Sequence, residues 1–578
     1  MKNSYRDMYC GLVSESEVGN DIVLSGFVEN IRDHGGVIFV DLRDSEGVVQ
    51  LVSNDDSIFS SLTRESVINI KGVVRKRNLE DFNNNIKSGH VEVLVFSLEI
   101  LSRALNNLPF DVKTSKDVSE DVRLKYRFLD MRNKKVGDMI KFRSSVLKFM
   151  RSKMDSLSFT EVQTPILTAS SPEGARDFIV PSRKFPGKFY ALPQAPQIFK
   201  ELLMVGGIDR YYQVAPCFRD EDCRSDRTLE FYQLDMELAF ATEEDVYKIG
   251  EDIFYSVFSE FSDKVVSSRP FRRISYSDSM LMYGNDKPDL RNPLVISDVT
   301  SVFSDTTFGP FKKSTIRAIK VEGISTYSNS WFNEIVDYAK SIGMPGIGYL
   351  TLVSDGFKGP IDKFLSDAER DDLISICNLS SGDVIFFIAD KNVNTLCKYA
   401  GLIRTYLGKK LDLIDHNKFE FCIINDIPMF EMTDDGSYDF CHNPFSMPKG
   451  GIDALSVEDI TSITAEQFDF VCNGYEVSSG AVRNHNIECL EKVFSMIGYD
   501  KSVVKERFSS LYNAFHYGAP PHAGMAPGID RIIMLLKDES NLREVQAFPT
   551  SVSGQDFLMG SPSSISEKQL REVHIKLR

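Results

Sequence analysis

Residues 210–240 read RYYQVAPCFRDEDCRSDRTLEFYQLDMELAF, and this stretch decides the fold of the chain. Its two ends are rich in aromatic and aliphatic side chains, as strands are, and a charged segment, residues 219–227, separates them. The stretch therefore predicts a long antiparallel hairpin with an arginine at the start of its loop. Because side chains alternate along a strand, one face of the second strand carries Phe231, Gln233, Asp235 and Glu237. These polar groups are costly to bury unless a ligand, metal or partner satisfies them, although a solvated amphipathic hairpin gives the same pattern.

A second informative stretch lies far downstream, where residues 518–536 read GAPPHAGMAPGIDRIIMLL. A turn rich in glycine and proline passes through Gly524 and Gly528 into an apolar helix, with Arg531 in its first turn. Small residues let a ligand approach the backbone, a helix N-terminus favours anions, and arginine offers a planar donor fork for phosphate. By itself the stretch is also compatible with an ordinary loop-to-helix cap.

Together these stretches resemble motifs 2 and 3 of the class II aminoacyl-tRNA synthetases. Arg219 and Glu221, followed by Phe231 and Asp235, correspond to motif 2, and GIDR at residues 528–531 corresponds to motif 3. SPEGARD at residues 171–177 and QAPQ at residues 194–197 narrow the resemblance to the bacterial aspartyl-tRNA synthetases. The resemblance implies an α+β multidomain fold with an N-terminal OB-fold β-barrel, a class II catalytic domain built on an antiparallel sheet, and an inserted α+β domain.

The composition is that of an ordinary globular protein with several domains. The chain has 578 residues, 42% of them hydrophobic and 26% charged, whereas single cores rarely exceed about 250–300 residues. No run approaches the roughly 18 apolar residues of a membrane span, and residues 1–9 have no apolar core region, so a cytoplasmic protein is expected. Nine scattered cysteines without a CxxC pair favour reduced thiols over a zinc site.

The N-terminal part of the chain indicates a nucleic-acid-binding protein. The net charge of −16 does not exclude this function, because nucleic-acid binding depends on local patches of positive charge. Residues 123–153 hold eleven Lys and Arg against two Asp, which indicates either a solvated helix face or a hinge that contacts phosphates. Five short strands indicate an OB-fold barrel, which binds single-stranded nucleic acid by stacking bases on aromatic side chains. The strand-like runs are residues 21–28, 37–42, 48–52, 67–75 and 91–101.

The resemblance implies that this barrel reads a tRNA anticodon through Arg32, Phe39 and Gln50. Phe39 would stack a base while the other two hydrogen-bond base edges, although core packing is the simpler interpretation of Phe39 alone. A histidine at position 34 resembles the group of aspartyl enzymes that charge both tRNA(Asp) and tRNA(Asn). The alternative is that His34 merely caps a turn. Asn30 and Ile31 depart from the family, which usually has basic residues there. The expected partners are tRNA(Asp) and also tRNA(Asn), with a strictly tRNA(Asp)-specific enzyme as the alternative.

The segment from Ile140 to residue 167 resembles motif 1 of the same family. Its apolar residues have helical spacing up to Met154, and a strand over residues 159–167 ends in a proline turn. The resemblance implies a homodimer with this segment in the interface, while the sequence alone also allows a merely buried helix.

The barrel, the motifs and the predicted insertion together divide the chain into six segments. The domains are an OB-fold anticodon-binding domain at 1–104, a linker at 105–140, the two parts of the catalytic domain at 141–289 and 419–558, an inserted domain at 290–418, and a C-terminal extension at 559–578.

The resemblance also assigns the site residues one by one. Arg219 would hold the α-phosphate of ATP and Arg531 the γ-phosphate, which makes them the catalytic pair. The residues implied for ATP are Arg219, Asp220, Glu221, Phe231, Glu476, Gly528, Ile529, Asp530 and Arg531. Those implied for aspartate are Glu173, Gln197, Lys200, Arg219, Asp235, His442 and Arg483. Asp469 and Glu476 are the carboxylates implied for Mg²⁺, and Thr228 departs from the family, which commonly has an ATP-contacting Gln there.

The activity that the resemblance implies is ATP-dependent aspartate–tRNA ligation in two steps. The aspartate α-carboxylate attacks the α-phosphorus of ATP, releasing pyrophosphate, and the terminal ribose of tRNA then takes the aspartyl group. Neither step needs a covalent nucleophile, so catalysis depends on positioning and charge stabilisation. An asparaginyl or lysyl enzyme shares the layout, but the pair Lys200 and Arg483 favours an anionic substrate. A pure single-stranded nucleic-acid-binding protein would account only for residues 1–104.

Overall fold

A computed structural model describes residues 2–35, 37–170, 174–433 and 435–577. The chain divides into two compact units, the first ending at Met139 and the second beginning at Ile140. No helix of these described residues is long and apolar enough to cross a membrane. All nine cysteines are free, and most of them are buried.

The first unit contains a closed five-stranded barrel with the strand order β1-β2-β3-β5-β4. Its interior is filled by alternate residues of every strand, such as Leu24, Val40, Leu51, Ile70 and Val93, which are fully buried. The closed barrel confirms the predicted OB-fold. The bounds are β1 (Asp21–Asp33), β2 (Ile38–Arg43), β3 (Val48–Val52), β4 (Val67–Lys76), β5 (Val91–Ser102), α1 (Glu120–Lys125) and α2 (Arg127–Asp130), followed by α3 (Lys134–Ser156), which contains the boundary between the units.

The second unit begins with the elements that precede the predicted insertion. They are β6 (Thr160–Glu161), β7 (Ile179–Pro181), β8 (Phe189–Ala191), α4 (Gln197–Val205), β9 (Arg210–Phe218), β10 (Glu230–Ala239), α5 (Glu243–Phe261), β11 (Val265–Val266), β12 (Arg272–Ser275) and α6 (Tyr276–Tyr283).

The elements after the predicted insertion complete the catalytic part of the chain. The labels β13–β17 and α7–α9 belong to the predicted insertion. The elements that follow it are β18 (Lys418–Phe419), β19 (Phe421–Asn425), β20 (Phe430–Met432), β21 (Tyr438–Phe440), β22 (Gln467–Cys472), β23 (Tyr475–Val482), α10 (Ile487–Met496), α11 (Lys501–Arg507), α12 (Ser509–Phe515), β24 (His522–Pro527), α13 (Ile529–Leu536) and α14 (Glu567–Glu572).

The main sheet of this unit has eight strands in the order β12-β19-β22-β23-β24-β10-β9-β6. It is antiparallel except at its two edges, where β12 pairs with β19 and β6 pairs with β9 in parallel. The predicted hairpin forms its centre, because β10 pairs with β9 on one side and with β24 on the other. Asp235 and Glu237 of β10 are as fully buried as Leu234 and Met236, which excludes a solvated amphipathic hairpin.

Apolar side chains cover the face of this sheet that lies opposite Asp235 and Glu237 of β10. Phe254 and Phe258 of α5 pack against aromatic rings of β19 and β22, with ring centroids 5.2 Å apart for Phe254 and Phe470 and 5.1 Å apart for Phe258 and Phe421. The aromatic layer leaves the polar residues of β10 on the opposite face, where the site is built.

The predicted inserted region folds around a separate five-stranded sheet in the order β13-β14-β17-β15-β16. One face packs on α7 and α9 through residues such as Phe332 and Ile403, and the other face packs on α8 through residues such as Leu373. Trp331 packs at the edge of the first core. The bounds are β13 (Ile296–Asp298), β14 (Thr315–Val321), α7 (Asn329–Ser341), β15 (Gly348–Val353), β16 (Gly356–Lys358), α8 (Asp367–Cys377), β17 (Val384–Asp390) and α9 (Val393–Lys410). The exact limits at 290 and 418 stay a prediction.

Two local predictions are wrong. The strand expected over residues 159–167 is reduced to Thr160–Glu161, because only these two residues pair with β9. The stretch around Gly524 is not a turn but strand β24, between β10 and β23. A side chain at Gly524 would lie 2.1 Å from the Glu237 carboxylate, so this glycine makes room for a buried acid rather than for a ligand.

Candidate active site

The ends of β10 and β23 and the start of α13 surround a cavity of about 300 Å³. Most residues predicted to bind ATP meet there, although they come from three distant parts of the chain. The cavity is lined by Arg219, Glu221, Phe231, Glu476, Gly528, Asp530 and Arg531, together with Thr228. The Thr228 hydroxyl donates to the backbone oxygen of Glu230 at 2.8 Å, so its side chain is already bonded within the hairpin.

Two arginines of this cavity each keep a buried Nε atom without a hydrogen-bond partner among the described residues. The guanidinium of Arg219 lies over the Phe231 ring, 5.1 Å from its centroid. Arg531 donates its terminal nitrogens to the backbone oxygens of Glu476 and Asp226. Because an unpaired buried donor costs free energy, both arginines are arranged for an anionic ligand, and a phosphate group accepts from such planar forks.

A buried cluster of four alternating charges, the charge pocket, lies at the middle of β10. The Lys200 ammonium is 2.7 Å from Asp235 Oδ1 and 3.2 Å from Glu237 Oε2. The Arg483 guanidinium donates to both oxygens of Glu237 at 2.9 and 3.1 Å. All four side chains are buried, and Asp235 Oδ2 has no partner among the described residues. Burial would disfavour the charge of Glu237, but Arg483 and Lys200 hold the pKa of that carboxyl below its ordinary value.

Gln197 and Lys200, both predicted to bind aspartate, lie on α4 and are both buried. The Gln197 amide nitrogen donates to Glu201 Oε1 at 2.6 Å, one turn further along the helix. Glu201 Oε2 in turn lies 3.2 Å from Nε2 of His522, the first residue of β24. Neither Glu201 nor His522 was recognised from the sequence.

The two carboxylates predicted for Mg²⁺ lie side by side at the β22–β23 hairpin. The Ser479 hydroxyl donates to Asp469 and Glu476, and the Lys287 ammonium lies 3.4 Å from Glu476 and 3.9 Å from Asp469. Burial and the neighbouring Glu476 charge raise the pKa of Asp469 to about 7, against the opposing effect of Lys287. No cluster of three or more metal-binding side chains occurs in the described parts of the chain. Two carboxylates suit Mg²⁺, which keeps several waters and takes further oxygens from substrate phosphates.

Other predicted residues lie around these pockets in different ways. Glu173 is outside the described residues. The Asp220 amide donates to the Arg176 backbone oxygen at 2.9 Å, and both residues line a second cavity of about 710 Å³. Burial and then the Lys287 charge lower the pKa of His442, and the charges of Asp286 and Glu476 oppose this shift.

Two residues predicted to bind ATP are used by the fold itself. Ile529 is fully buried at the start of α13. Both carboxylate oxygens of Asp530 are bonded, one by Arg143 and the other by the Tyr232 backbone amide at 2.9 Å. Asp530 therefore ties α3 and β10 to α13, and an ATP contact through either side chain is not supported.

The basic segment, residues 123–153, does not present all its charges to a partner. Arg123 and Arg127 are buried against Asp130, and Arg143 bonds Asp530. The hypothesis of a phosphate-contacting hinge is therefore wrong for these three arginines, because their guanidinium groups compensate buried carboxylates.

In the barrel, the three residues predicted to read an anticodon line one groove of about 870 Å³. Arg32 bonds Asp41 at 2.8 Å and Gln50 at 3.1 Å, and Gln50 bonds Glu92 at 2.7 Å. Phe39 is half-buried at the groove and stands edge-on to His34, with ring centroids 5.6 Å apart. The groove thus combines a stackable ring with polar side chains that have been oriented by neighbouring acids.

Several residues of the site were assigned no role from the sequence. The period of two placed Glu237 on the polar face of β10 with Asp235, but only Asp235 was assigned to the site. Lys287 lies in the segment DKPDLR at residues 286–291, to which the sequence analysis assigned no role in the site. Glu201 and His522 are more than 300 residues apart, and only the strand order brings them together.

Comparison with known proteins identifies two families along the chain. The family described as "tRNA synthetases class II (D, K and N)" matches residues 119–552. The family described as "OB-fold nucleic acid binding domain" matches residues 22–101.

Similar proteins span the whole chain. The aspartate–tRNA(Asp/Asn) ligase of Anaplasma marginale is 50% identical over 590 residues, covering 100% of this chain and 99% of its own. The ligases of the same name from Ehrlichia ruminantium and Rickettsia bellii are each 48% identical over 100% of this chain and 99% and 98% of their own.

Solved structures share the fold at lower identity. Asparaginyl-tRNA synthetase from Pyrococcus horikoshii, complexed with asparaginyl-adenylate, has a TM-score of 0.57 and 19% identity over 94% of this chain and 97% of its own. A protein described as a putative aspartyl-tRNA synthetase from Leishmania major has a TM-score of 0.59 and 18% identity over 95% of both chains.

Proposed function

The chain belongs to the class II aminoacyl-tRNA synthetases of the D, K and N group, and from this premise we propose that it is an aspartate–tRNA ligase. It activates L-aspartate with ATP to aspartyl-adenylate and pyrophosphate, and then transfers the aspartyl group to the 3′ end of tRNA(Asp) and of tRNA(Asn). The relatives from three bacterial genera, named aspartate–tRNA(Asp/Asn) ligases, support both the amino acid and the range of tRNAs.

The pocket of alternating charges carries the choice of amino acid. Lys200 and Arg483 bring two buried cations to one place, and Asp235 and Glu237 balance them. A side-chain carboxylate that binds between these cations forms ion pairs with both of them. The neutral amide of asparagine forms no ion pair and leaves the cations less well compensated. Aspartate and asparagine are nearly isosteric, so this difference in charge is what a binding site can use.

The cavity beneath Arg219 and Arg531 carries the nucleotide. We propose that Arg219 bonds the α-phosphate and Arg531 the γ-phosphate through their unpaired Nε atoms and the nitrogens beside them. Phe231 stacks on adenine and Glu221 contacts its edge. Charge that develops on the α-phosphate during attack by the aspartate carboxylate is then stabilised by a donor that is already in place.

We place Mg²⁺ at Asp469 and Glu476, whose oxygens are the ligand type that this ion prefers. The ion would supply positive charge to the phosphates of ATP when bound. The Lys287 ammonium lies within 4 Å of both carboxylates and compensates part of their charge.

The groove of the OB-fold barrel carries the proposed tRNA contact. Phe39 offers its ring to one anticodon base, and Arg32 and Gln50 offer donors and acceptors to base edges. His34 is at the rim beside Phe39, where it can influence which anticodons are accepted. We also propose a homodimer through the segment that resembles motif 1, and the molecular mass in solution, against 65.3 kDa for one chain, tests it.

The first step can be tested with amino-acid-dependent exchange of labelled pyrophosphate into ATP. Aspartate is expected to support exchange, and asparagine and lysine at equal concentration are expected to support at least about 100-fold less, since the pocket's cations would lose their anion. Exchange that depends on asparagine or lysine instead would assign the chain to another enzyme of the same family. Absence of exchange with all three would refute an amino-acid-activating enzyme.

A further inference from the structure

Glu201 of α4 and His522 of β24 form an ion pair that is sealed from solvent. Glu201 is 1% exposed and His522 is 0% exposed, and their Oε2 and Nε2 atoms are 3.2 Å apart. An isolated carboxylate at such a place would be neutralised or expelled, so its persistence requires donors on both of its oxygens. Gln197 provides the donor to Oε1 and His522 the donor to Oε2.

The surroundings of the His522 ring define its protonation. Nδ1 lies 2.8 Å from the backbone oxygen of Pro520, which can only accept, so Nδ1 carries a proton. Nε2 faces the Glu201 carboxylate, which also accepts, so the arrangement is satisfied when both ring nitrogens are protonated.

The charged groups around His522 come from three elements. Glu201 of α4 and Glu237 of β10 are the acids, and Arg483 and His485 follow β23. Burial alone would lower the pKa of His522, but the hydrogen bond to Glu201 and the charges of both acids outweigh it and raise that pKa above its ordinary value. Burial lowers the pKa of His485, so His485 is a neutral neighbour near pH 7.

The consequence for the site lies in the orientation of the Gln197 amide. A carboxylate accepts only, so Glu201 fixes the NH₂ end of this amide toward itself. The carbonyl oxygen, Oε1, then points elsewhere and accepts no hydrogen bond from the described residues. An amide oxygen held in this way is an acceptor for a cationic donor, and the α-ammonium is the cationic group of every free amino acid.

We propose that Glu201 and protonated His522 are positioning residues that lock the Gln197 amide with its oxygen toward the α-ammonium group of the substrate. Neither residue touches the substrate. The inference rests on the proposed function, because it presupposes that an amino acid binds beside Lys200 and Arg483. Lys200 and Arg483 recognise the side-chain carboxylate of the substrate, whereas the oriented Gln197 amide recognises the α-ammonium group, which all amino acids share.

The test compares three single variants of the full chain in aspartate-dependent pyrophosphate exchange. His522→Gln keeps a neutral donor toward Glu201 but removes the charge and the link to Pro520, and Glu201→Gln keeps the side-chain shape but loses the acceptor-only character. His516→Gln is the matched control, because His516 is exposed and its ring nitrogen bonds the Tyr512 backbone oxygen within its own helix turn. KM for aspartate and for ATP, kcat and Tm are measured for each from pH 6.5 to 9.

Both pair variants are expected to raise KM for aspartate about tenfold at pH 7.5, the effect of one charge-assisted hydrogen bond, while KM for ATP stays within about twofold. In the wild type, KM for aspartate is expected to rise as pH increases through the raised pKa of His522, because the lock requires the proton. The substrate ammonium titrates identically in every variant, so the additional rise should be absent from both pair variants and present in His516→Gln.

Unchanged KM for aspartate in both variants would overturn the inference, as would equal losses toward aspartate and ATP together with a large fall in Tm, which indicate a purely structural pair. If His522→Gln does not fold, Glu201→Gln carries the same comparison, because it preserves the shape of the buried side chain. A wild-type chain without any aspartate-dependent exchange would refute the proposed function itself, which distinguishes the two failures.

Discussion

Arg219→Ala is expected to lower aspartate-dependent pyrophosphate exchange by roughly 10²- to 10³-fold, the range observed when one donor to a developing negative charge is removed. The Arg219 Nε atom is buried and unpaired, and the ring of Phe231 supports its guanidinium. Removal of this group therefore takes away a donor that is already oriented, and the loss should fall mainly on kcat.

Arg272→Ala is the matched control for Arg219. Arg272 is exposed on β12, at the far edge of the same sheet, and its removal should change exchange by less than about twofold. The comparison is made at saturating aspartate and ATP with purified, folded protein. Exchange by Arg219→Ala within a factor of three of the wild type would mean that the α-phosphate is held elsewhere.

Lys200→Met is expected to weaken aspartate binding by about 2–5 kcal/mol, which is at least roughly 30-fold in KM. The variant leaves Asp235 and Glu237 with only Arg483 as a compensating cation, so the pocket changes from neutral to negative. A negative pocket repels the side-chain carboxylate of aspartate, whereas the ATP cavity is lined by other residues and KM for ATP should change little.

The same variant should also reduce the discrimination against asparagine, since that discrimination depends on charge. Lys264→Met is the matched control, because it breaks an ion pair with Asp538, whose side chain is 67% exposed. Isothermal titration with aspartate and with asparagine measures both affinities directly. Equal weakening of aspartate and asparagine would contradict a charge-based choice and would place the role of Lys200 in folding.

Features of the fold that depend on neighbouring residues in the sequence are predictable from it, whereas features that depend on contacts between distant residues are not. The five barrel strands and the central hairpin were predicted within a few residues, because each has a local pattern of period two. Strand β24 was missed because its residues, HAGMAP, resemble a turn when read alone. Only its pairing with β10 and β23 makes it a strand.

The site shows the same division. Arg219, Lys200 and Arg483 were predicted through the family resemblance, and the structure adds that Asp235 and Glu237 compensate Lys200 and that Glu237 compensates Arg483. The period of two indicates that Glu237 shares a face with Asp235, but its pairing with Arg483, which follows β23, like the pairing of Lys287 with Glu476, depends on the strand order. Asp530 was assigned to ATP because it lies within a motif, but its bonds to Arg143 and the Tyr232 amide give it a structural task.

The range of tRNA substrates is the central claim, and charging of transcripts with labelled aspartate tests it most directly. Transcripts of tRNA(Asp) and of tRNA(Asn) are compared under one set of conditions, with the wild-type chain and with Phe39→Ala. We expect the wild type to charge tRNA(Asp) and tRNA(Asn) with efficiencies within about tenfold, and Phe39→Ala to lose roughly 1–3 kcal/mol of stabilisation, the range for one base stacked on an aromatic ring. Charging of tRNA(Asp) alone would contradict the account and leave His34 as a turn residue.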